Sequence, residues 1–348
     1  MPSKTPSTSN HPPRSVKSSV PRFKHWGQVF FGSLLTVCIL LAFFFQFPTE
    51  PSWITPEYGV TFSPAYAESL GLDWHQTYDA IVGDLGVKRL RLSTYWDVTE
   101  PHKGEFDFHD VDYELNGAGV HGAKVLFAVG RKLPRWPECH DPEWIQGATQ
   151  DRTEQELLSY VDTVVQRYKD NPVIDKWQVE NELYFPFGIC PHRLGGKTLD
   201  KEIAIIKKYS DKPVVVTDSG EWSTWFPAVL HGDILGISTY REAWNPILGH
   251  IPFPLTPGYY QIRASLIAPV KTEIIITEVQ AEPWGPRPVS EMSQYEMYQY
   301  MPLAKVLDNV HYAQQIGFPE VYLWGVEWWY WLKVHGDESY WNELKKVF

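Results

Sequence analysis

The feature that most constrains the fold of this 348-residue chain is a regular alternation of short apolar runs and longer helical stretches after residue 57. The apolar runs are rich in the β-branched and aromatic residues typical of buried strands. Strands that alternate with helices pair in parallel, with the helices as crossovers. The alternation therefore predicts a closed (β/α)8 barrel, the TIM-barrel fold, with strands at residues 58–62, 87–93, 124–129, 177–184, 213–217, 234–238, 273–277 and 321–324.

The helices predicted between these strands agree with the barrel interpretation. They cover residues 74–85, 110–118, 153–168, 199–209, 223–230, 259–267, 295–315 and 338–346. Thr153 and Glu156 are placed as a capping box at the start of the third helix. A doubly wound open sheet is the alternative architecture, but no glycine-rich nucleotide loop follows an early strand.

The N-terminal 57 residues have a different composition and predict a membrane anchor. Residues 1–28, rich in serine, proline and basic groups, predict a disordered cytoplasmic tail. Residues 29–47 are almost wholly apolar, and their length suits one transmembrane helix. Because positive charges precede this run, the N-terminus is expected in the cytoplasm. Residues 48–57 would then link the anchor to a barrel at residues 58–348, which would lie outside the cytoplasm. A cleaved signal peptide is the alternative, although no small-x-small site follows the run.

Charge and composition narrow the class of ligand. The formal net charge is −11, and the first 50 residues are net basic, so the predicted barrel is acidic. An acidic domain argues against nucleic-acid binding and is compatible with a neutral ligand such as a sugar. The 16 tryptophans either fill a large aromatic core or provide flat platforms for sugar rings.

Polar residues at the ends of the predicted strands indicate where chemistry takes place. In this fold the active site lies at the C-terminal ends of the strands. The fourth strand ends in Asn181 and Glu182, and Glu278 follows the seventh. A carboxylic acid that protonates the leaving oxygen, paired with a carboxylate that attacks, suits cleavage of a glycosidic bond. Glu180 and Glu282 are the competing acids; Glu180 is expected to point the same way as Glu182 along a strand and to act as a hydrogen-bonding partner.

These motifs together resemble clan GH-A glycoside hydrolases, a group of retaining enzymes. The run W-Q-V-E-N-E-L-Y at residues 177–184 is similar to W-Q-x-D-N-E-aromatic in the family-42 β-galactosidases. A tryptophan followed by E-P-x-x-G-x-aromatic-D-F also resembles that family, here Trp96 and residues 100–108, as does L-P-R-W at residues 133–136. Glu180 departs from the usual aspartate. Cellulases and mannanases of the clan share the two glutamates and Arg91, so the resemblance does not define the substrate.

The resemblance implies a role for each matching residue. Glu182 would be the acid/base and Glu278 the nucleophile. Asn181 would bind the sugar 2-hydroxyl, and Arg91 and Tyr240 would bind the nucleophile. Trp324 would lie beneath the first sugar, and Trp96 would be a further substrate-binding residue.

The expected activity is therefore a retaining β-glycosidase with a β-linked carbohydrate as its substrate. An endo-acting β-glucanase or mannanase, a transglycosylase, and a non-catalytic carbohydrate-binding barrel remain alternatives. No cofactor or metal is expected, because no histidine or cysteine cluster has metal-ligand spacing, and no obligate protein partner is evident.

Several residues have two open interpretations. Cys139 and Cys190 follow neighbouring strands, and outside the cytoplasm they are expected to form a disulfide rather than stay free. Asp218 and Glu221 are helix-capping and first-turn acids or subsite groups. The last set, equally suited to packing and to sugar platforms, is Trp328, Trp329 and Trp331.

Overall fold

The computed structural model describes residues 29–37, 39, 45–50, 52–271 and 273–348. The chain divides into two compact units, residues 1–44 and 45–348. In the first unit the described residues are helical and exposed. None of the helices in the described ranges is long and apolar enough to cross a membrane. The predicted span 29–47 therefore has no support there, although its residues 38 and 40–44, like the predicted tail 1–28, lie outside the described residues.

The second unit is built on a closed barrel of eight parallel strands, which confirms the predicted fold. Each strand pairs with its two neighbours, and the ring closes where the first strand pairs with the last. Two further short strands form an antiparallel hairpin outside the ring. In chain order the barrel strands are β1 (Glu57–Thr61), β2 (Arg89–Ser93), β3 (Lys124–Val129), β4 (Ile174–Val179), β5 (Val214–Asp218), β6 (Ile234–Thr239), β9 (Ile274–Gln280) and β10 (Glu320–Trp324), and the hairpin is β7 (Glu242–Asn245) with β8 (Gly249–Pro252).

Apolar side chains from several strands fill the barrel interior. One cluster, contributed by strands from opposite sides of the ring, contains Leu126, Val215, Ile234, Ile275 and Tyr322, all almost completely buried. Parallel strands covered on both faces carry continuous β-branched runs, as β5 and β9 do. This packed interior leaves only the ends of the strands free to present polar groups to a ligand.

The helices surround the barrel and differ from the predicted set in several places. The predicted helix 74–85 is α-helical over Trp74–Asp79 and π-helical over Ala80–Leu85. Their bounds are α1 (Pro64–Ser69), α2 (Trp74–Asp79), α3 (Trp96–Thr99), α4 (His109–Val120), α5 (Gln150–Tyr168), α6 (Gly196–Tyr209), α7 (Phe226–Val229), α8 (Pro257–Ile267), α9 (Gln294–Tyr300), α10 (Leu303–Ile316), α11 (Val326–Val334) and α12 (Ser339–Leu344). The predicted helix 295–315 is divided into α9 and α10, because Pro302 lacks the N–H that a continuous helix needs. Helices α1, α3 and α11 and the β7–β8 hairpin were not predicted. They belong to the segments that follow β1, β2, β10 and β6.

The predicted capping box at Thr153 and Glu156 is wrong. Helix α5 begins one turn earlier, and Thr149 caps it by accepting a hydrogen bond from the Arg152 N–H at 3.4 Å. Residues 150–152 are polar, so the apolar period alone placed the start too late. The capping box of the described residues lies at α9, where Ser293 and Glu296 bond to each other's backbone.

A glycine triplet with G-x-G-x-x-G spacing, Gly117, Gly119 and Gly122, ends α4 and precedes β3. Nucleotide-binding loops have the opposite order, strand before helix. Packing explains Gly117, since a β-carbon there would come within 2.7 Å of the Tyr78 ring.

Candidate active site

Glu278 lies in β9 at the barrel mouth, and two side chains hold its two oxygens. The Arg91 guanidinium, in β2, donates to one oxygen at 2.7 Å, and the Tyr240 hydroxyl, just after β6, donates to the other at 3.0 Å. Arg91 is 0% exposed, so this ion pair is shielded from water. A buried guanidinium and a hydroxyl together suit a carboxylate that must stay in one orientation.

Glu182 follows β4 and faces the same cavity, but its surroundings are different. Its carboxylate accepts a hydrogen bond from the Ser238 hydroxyl of β6 at 2.7 Å, and its backbone N–H donates to Thr217 at 2.9 Å. In the barrel register Ser238 pairs with Glu278, so Glu182 reaches the strand beside the other acid. Burial, followed by the negative charge of Glu278, raises the pKa of Glu182 to about 7. A carboxyl with such a pKa can deliver a proton near neutral pH.

Asn181 shares a hydrogen-bonding partner with each of the two acids. Its side-chain oxygen accepts from Arg91 at 2.8 Å and from Thr217 at 3.2 Å. These bonds fix the orientation of the amide, so that its NH2 group is turned to a third acid, Glu138, at 3.2 Å. Arg91 therefore positions both Asn181 and the neighbouring Glu278.

Glu180 does not point into the mouth beside Glu182, contrary to the strand-based expectation. Both residues have positive φ, 58° and 43°, so the chain leaves strand geometry at Glu180. The Glu180 carboxylate accepts the backbone N–H groups of Arg131 and Lys132, each at 2.7 Å. It thus holds the loop after β3, and burial raises its pKa.

Trp324 and Glu282 belong to a buried cluster at the edge of the cavity. The Trp324 indole N–H donates to Glu282 at 2.6 Å. The guanidinium of Arg135 lies between the rings of Tyr66 and Trp324, 3.6 and 3.9 Å from their centroids. Arg135 also pairs with Glu282 at 2.6 Å and with Glu327 at 2.9 Å. The Glu282 carboxylate is thus bound to Arg135 and Trp324. Of the two competing acids, Glu278 is the one that lies in β9 and faces Glu182.

The structure does not support the predicted substrate contact of Trp96. This residue is 0% exposed, stacks on Tyr160 and donates its indole N–H to Glu100 at 2.8 Å. It does not line the cavity. The tryptophan and the E-P motif after it therefore stabilise the loop after β2, and the substrate-binding prediction for Trp96 is wrong.

The structure also shows what surrounds the residues with two alternative interpretations, and their contacts are packing and hydrogen bonds within the protein. Trp328 and Trp329 are fully buried in α11, while Trp331 stacks on His335. Asp218 and Glu221 do not cap α7, whose N-cap is Trp225. Asp218 accepts from the Ser219 N–H at 3.0 Å.

Glu221 lines the cavity and supports the loop after β6. It accepts from the Tyr240 N–H at 2.9 Å and from the Tyr260 hydroxyl at 2.5 Å. Burial raises its pKa to about 8.

The acids open into a cavity of about 960 Å³, a size that admits more than one sugar unit. Aromatic rings that were not among the predicted site residues also line this cavity. Trp136 is 63% exposed and meets Phe187 edge to face, and Phe187 in turn meets Trp284. On another loop Trp222, 61% exposed, packs against Phe253. The high tryptophan content indicated that such platforms could exist. Their positions depend on loop conformations, which the spacing of apolar residues does not predict.

Cys139 and Cys190 form a disulfide that joins the loops after β3 and β4, with their Cα atoms 5.3 Å apart. The first loop carries Trp136 and the second Phe187, so the bond ties together the two halves of one aromatic pair. Within the described ranges no group of three or more histidine, cysteine or acidic residues could hold a metal ion.

Comparison with known proteins relates the site to carbohydrate-active proteins. The family model described as glycosyl hydrolase family 10 matches residues 91–191, a segment that contains Arg91 and Glu182 but not Glu278. Beta-galactosidase Bga of Halorubrum lacusprofundi is 28% identical over 142 residues, which is 36% of this chain and 20% of that protein. Endo-1,4-beta-xylanase 3 of Hypocrea jecorina is 26% identical over 168 residues, 47% of this chain and 46% of that protein. The matched region is thus less than half of either curated relative.

Solved structures share the fold at low sequence identity. GH5_18 from Streptomyces cattleya, solved with GlcNAc, has a TM-score of 0.53 at 14% identity over 78% of this chain and 70% of that chain. A cold-adapted beta-galactosidase from Rahnella sp. R3 has a TM-score of 0.53 at 13% identity over 80% of this chain and 51% of that chain.

The family model and the two curated relatives thus relate part of this chain to glycoside hydrolases, and the solved structures share its barrel fold. The matches, to a family-10 model, a beta-galactosidase and a xylanase, single out no one family.

Proposed function

We propose that the barrel is a retaining β-glycosidase in which Glu182 is the acid/base and Glu278 the nucleophile. The observation that carries this proposal is the unequal environment of the two acids. Glu278 accepts from a guanidinium and a hydroxyl, whereas Glu182 accepts from one serine hydroxyl and has a pKa raised to about 7. One acid is thus equipped to attack and the other to hold a proton.

The reaction proceeds in two displacements. In the first, a Glu278 oxygen forms a bond to the anomeric carbon while the bond to the leaving oxygen breaks, and Glu182 gives that oxygen its proton. In the second, Glu182 takes a proton from water, the water oxygen bonds to the anomeric carbon, and Glu278 leaves as a carboxylate. The two inversions retain the β-configuration. This route requires the two carboxyl groups to be about 5 Å apart.

Asn181 and Trp324 would orient the sugar between the acids. The amide of Asn181, fixed through its oxygen by Arg91, has one N–H hydrogen available beyond its bond to Glu138. The resemblance assigns that hydrogen to the sugar 2-hydroxyl. Trp324 is held by Glu282 and the stacked Arg135, so its ring offers a rigid floor.

Trapping the covalent intermediate tests the assignment of the nucleophile. An aryl β-glycoside with fluorine at C2 should leave a sugar bonded to the enzyme, and peptide mass spectrometry should place it on Glu278. Glu278→Gln should lower kcat by at least about 10⁴-fold without unfolding, because the attacking oxygen is lost. Glu282→Gln, a change on the loop just after β9, is the control and should still form the adduct. An adduct on Glu282, or full activity in the Glu278 variant, contradicts the assignment.

A substrate longer than a single sugar is a second candidate, favoured by the exposed aromatic rings. Trp136 and Trp222 lie on loops after β3 and β5, outside the acid pair, and both line the cavity. Stacking of sugar faces on such rings would bind units beyond the reacting one. Comparing aryl β-glycosides with β-glucan and mannan polymers distinguishes exo from endo action. Binding without hydrolysis of any of them would favour the non-catalytic alternative.

Localisation outside the cytoplasm is a further proposal, supported by the disulfide. Disulfides persist in oxidising compartments and are rare in the cytosol. Cell fractionation tests both this proposal and the predicted anchor at residues 29–47. Recovery of reduced, freely soluble protein from the cytosol would contradict them.

A further inference from the structure

A third carboxyl group, that of Glu138, lines the cavity beside the proposed catalytic pair. It is 6% exposed, and one of its oxygens accepts the Asn181 NH2 group at 3.2 Å. The two-step reaction uses only Glu182 and Glu278, so Glu138 has no role in it. A buried acid is costly unless it is partnered or functional, which makes its presence in the cavity informative.

The backbone holds Glu138 in place from both sides. Its φ of 74° is unusual for a residue with a side chain. The N–H of Glu138 donates to Arg135 O and its carbonyl accepts from the Leu133 N–H, each at 2.8 Å. The next residue is Cys139, bonded to the loop after β4. On that loop a β-carbon at Gly188 would come within 2.4 Å of Glu138, so glycine leaves room for the acid. Such over-determined, strained positions are typical of functional groups.

The charge environment couples Glu138 to the catalytic acids. Burial raises its pKa to about 8; Lys132 opposes this effect, while Glu278 and Glu182 add to it. Near neutral pH the group therefore carries a proton in much of the population, and it can donate as well as accept a hydrogen bond.

We propose that Glu138 is a specificity-determining residue that binds the hydroxyl at C3 of the sugar held between Glu182 and Glu278. This inference rests on the proposed function and names a contact within that site. The ligand class it selects is a β-glycoside whose reacting sugar has a free 3-hydroxyl.

The position of Asn181 leads to the choice of C3. Asn181 is taken to bind the 2-hydroxyl, and Glu138 lies one hydrogen bond beyond its amide. Carbon 2 has two neighbours in the ring. One is the anomeric carbon, where Glu278 must attack, and the other is C3. Adjacent hydroxyls on a pyranose are about one hydrogen-bond length apart, so a group bonded to the amide is within reach of the 3-hydroxyl.

A double-mutant cycle between protein and substrate tests this contact. The variants are Glu138→Ala and, as a fold-preserving form, Glu138→Gln. The control is Glu100→Gln, since Glu100 is also a buried acid but bonds Trp96 outside the cavity. The substrates are the best-hydrolysed aryl β-glycoside and its 2-deoxy and 3-deoxy analogues. Thermal unfolding verifies that each variant is folded.

Glu138→Ala should lower kcat/KM for the parent glycoside by about 10-fold, the upper end for a hydrogen bond between neutral groups. For the 3-deoxy analogue its effect should shrink to less than about 3-fold, since the contact is already absent. Glu138→Gln keeps an acceptor and should lose less, and Glu100→Gln should show the wild-type pattern across the three substrates.

Two outcomes overturn the inference. Equal losses on all three substrates mean that Glu138 only supports the fold. A loss that disappears on the 2-deoxy analogue alone means that Glu138 acts by positioning Asn181. If the wild type hydrolyses no glycoside, the proposed function fails, and calorimetric binding of the same three sugars to the wild type and to Glu138→Ala decides the contact on its own.

Discussion

Removing the hydroxyl of Ser238 should move the basic limb of the pH profile to higher pH. Ser238 donates to the Glu182 carboxyl at 2.7 Å and accepts from the Gly220 N–H at 3.3 Å, so its own hydrogen is directed at Glu182. That bond favours the ionised form of Glu182 and lowers its pKa, against the larger upward effect of burial. Without the bond, Glu182 should keep its proton to higher pH and remain a competent acid there.

The size of the shift follows from the strength of one charge-assisted hydrogen bond. Such bonds contribute about 1.5–3 kcal/mol, which corresponds to about one to two pKa units at 1.36 kcal/mol per unit. Glu182 lines an open cavity, so water can replace part of the lost bond. We therefore expect Ser238→Ala to raise the pKa of Glu182 from about 7 by about half a unit to one unit.

The assay is kcat/KM for an aryl β-glycoside with a poor leaving group, measured from about pH 5 to pH 10. A poor leaving group makes protonation by Glu182 limiting, so the basic limb reports its pKa in the free enzyme. Thr239→Val is the matched control, because Thr239 is on the same strand but its hydroxyl donates to the Glu278 backbone carbonyl. A limb that stays in place or moves to lower pH in Ser238→Ala refutes the assignment of Glu182 as the acid.

Two further predictions concern stability. The disulfide between Cys139 and Cys190 closes a loop with a sequence separation of 51. Replacing both cysteines by serine should therefore lower the free energy of unfolding, measured by denaturant titration, by up to about 4 kcal/mol. An unchanged denaturant midpoint would show that the bond constrains the unfolded chain little. The pKa values of Glu138, Glu182 and Glu327 are raised to about 8, 7 and 7, mainly by burial, so the unfolded chain releases these protons at lower pH than the folded one. Their contribution to the free energy of unfolding is fully present below the pKa values of the unfolded chain and is lost as the pH rises through the folded values. The denaturant midpoint should therefore fall between about pH 5 and pH 9. A midpoint that rises over this range would contradict the argument that these acids are buried.

The barrel and the placement of Glu182 and Glu278 at its mouth could be predicted because both depend on local sequence. Continuous β-branched runs define the strands, and the position of Glu182 and Glu278 at strand ends follows from counting units. The orientation of Glu180 could not be predicted in this way. Its positive φ breaks the two-residue alternation, and the loop N–H groups that it accepts come from 48 and 49 residues away.

Residues that depend on loop geometry were missed for the same reason. Glu138 lies in a segment with no helical or strand period, and its place beside Asn181 results from a turn and a disulfide that bring two loops together. Trp96 shows the converse error. A motif match placed it in the site, whereas its neighbour Glu100 turns the indole inward. A sequence motif shows which residues are adjacent in the chain, but it does not show which side of a loop faces the cavity.

The balance of charge around the mouth explains why one proton should stay there near neutral pH. Three buried carboxyl groups, Glu138, Glu182 and Glu278, line the cavity, and two buried cations, Arg91 and Lys132, lie next to them. Arg91 is committed to Glu278, and Lys132 donates to backbone carbonyls behind Glu182, at 2.8 Å for the nearest. Two positive charges cannot compensate three negative ones in a poorly solvated site, so the arrangement favours one neutral acid. Burial raises the pKa of both Glu182 and Glu138, so the proton is shared between Glu182, where the proposed reaction needs it, and Glu138, where it would make a hydrogen-bond donor for the sugar. The same excess of acid that costs stability would thus supply the proton for the first step of the proposed reaction.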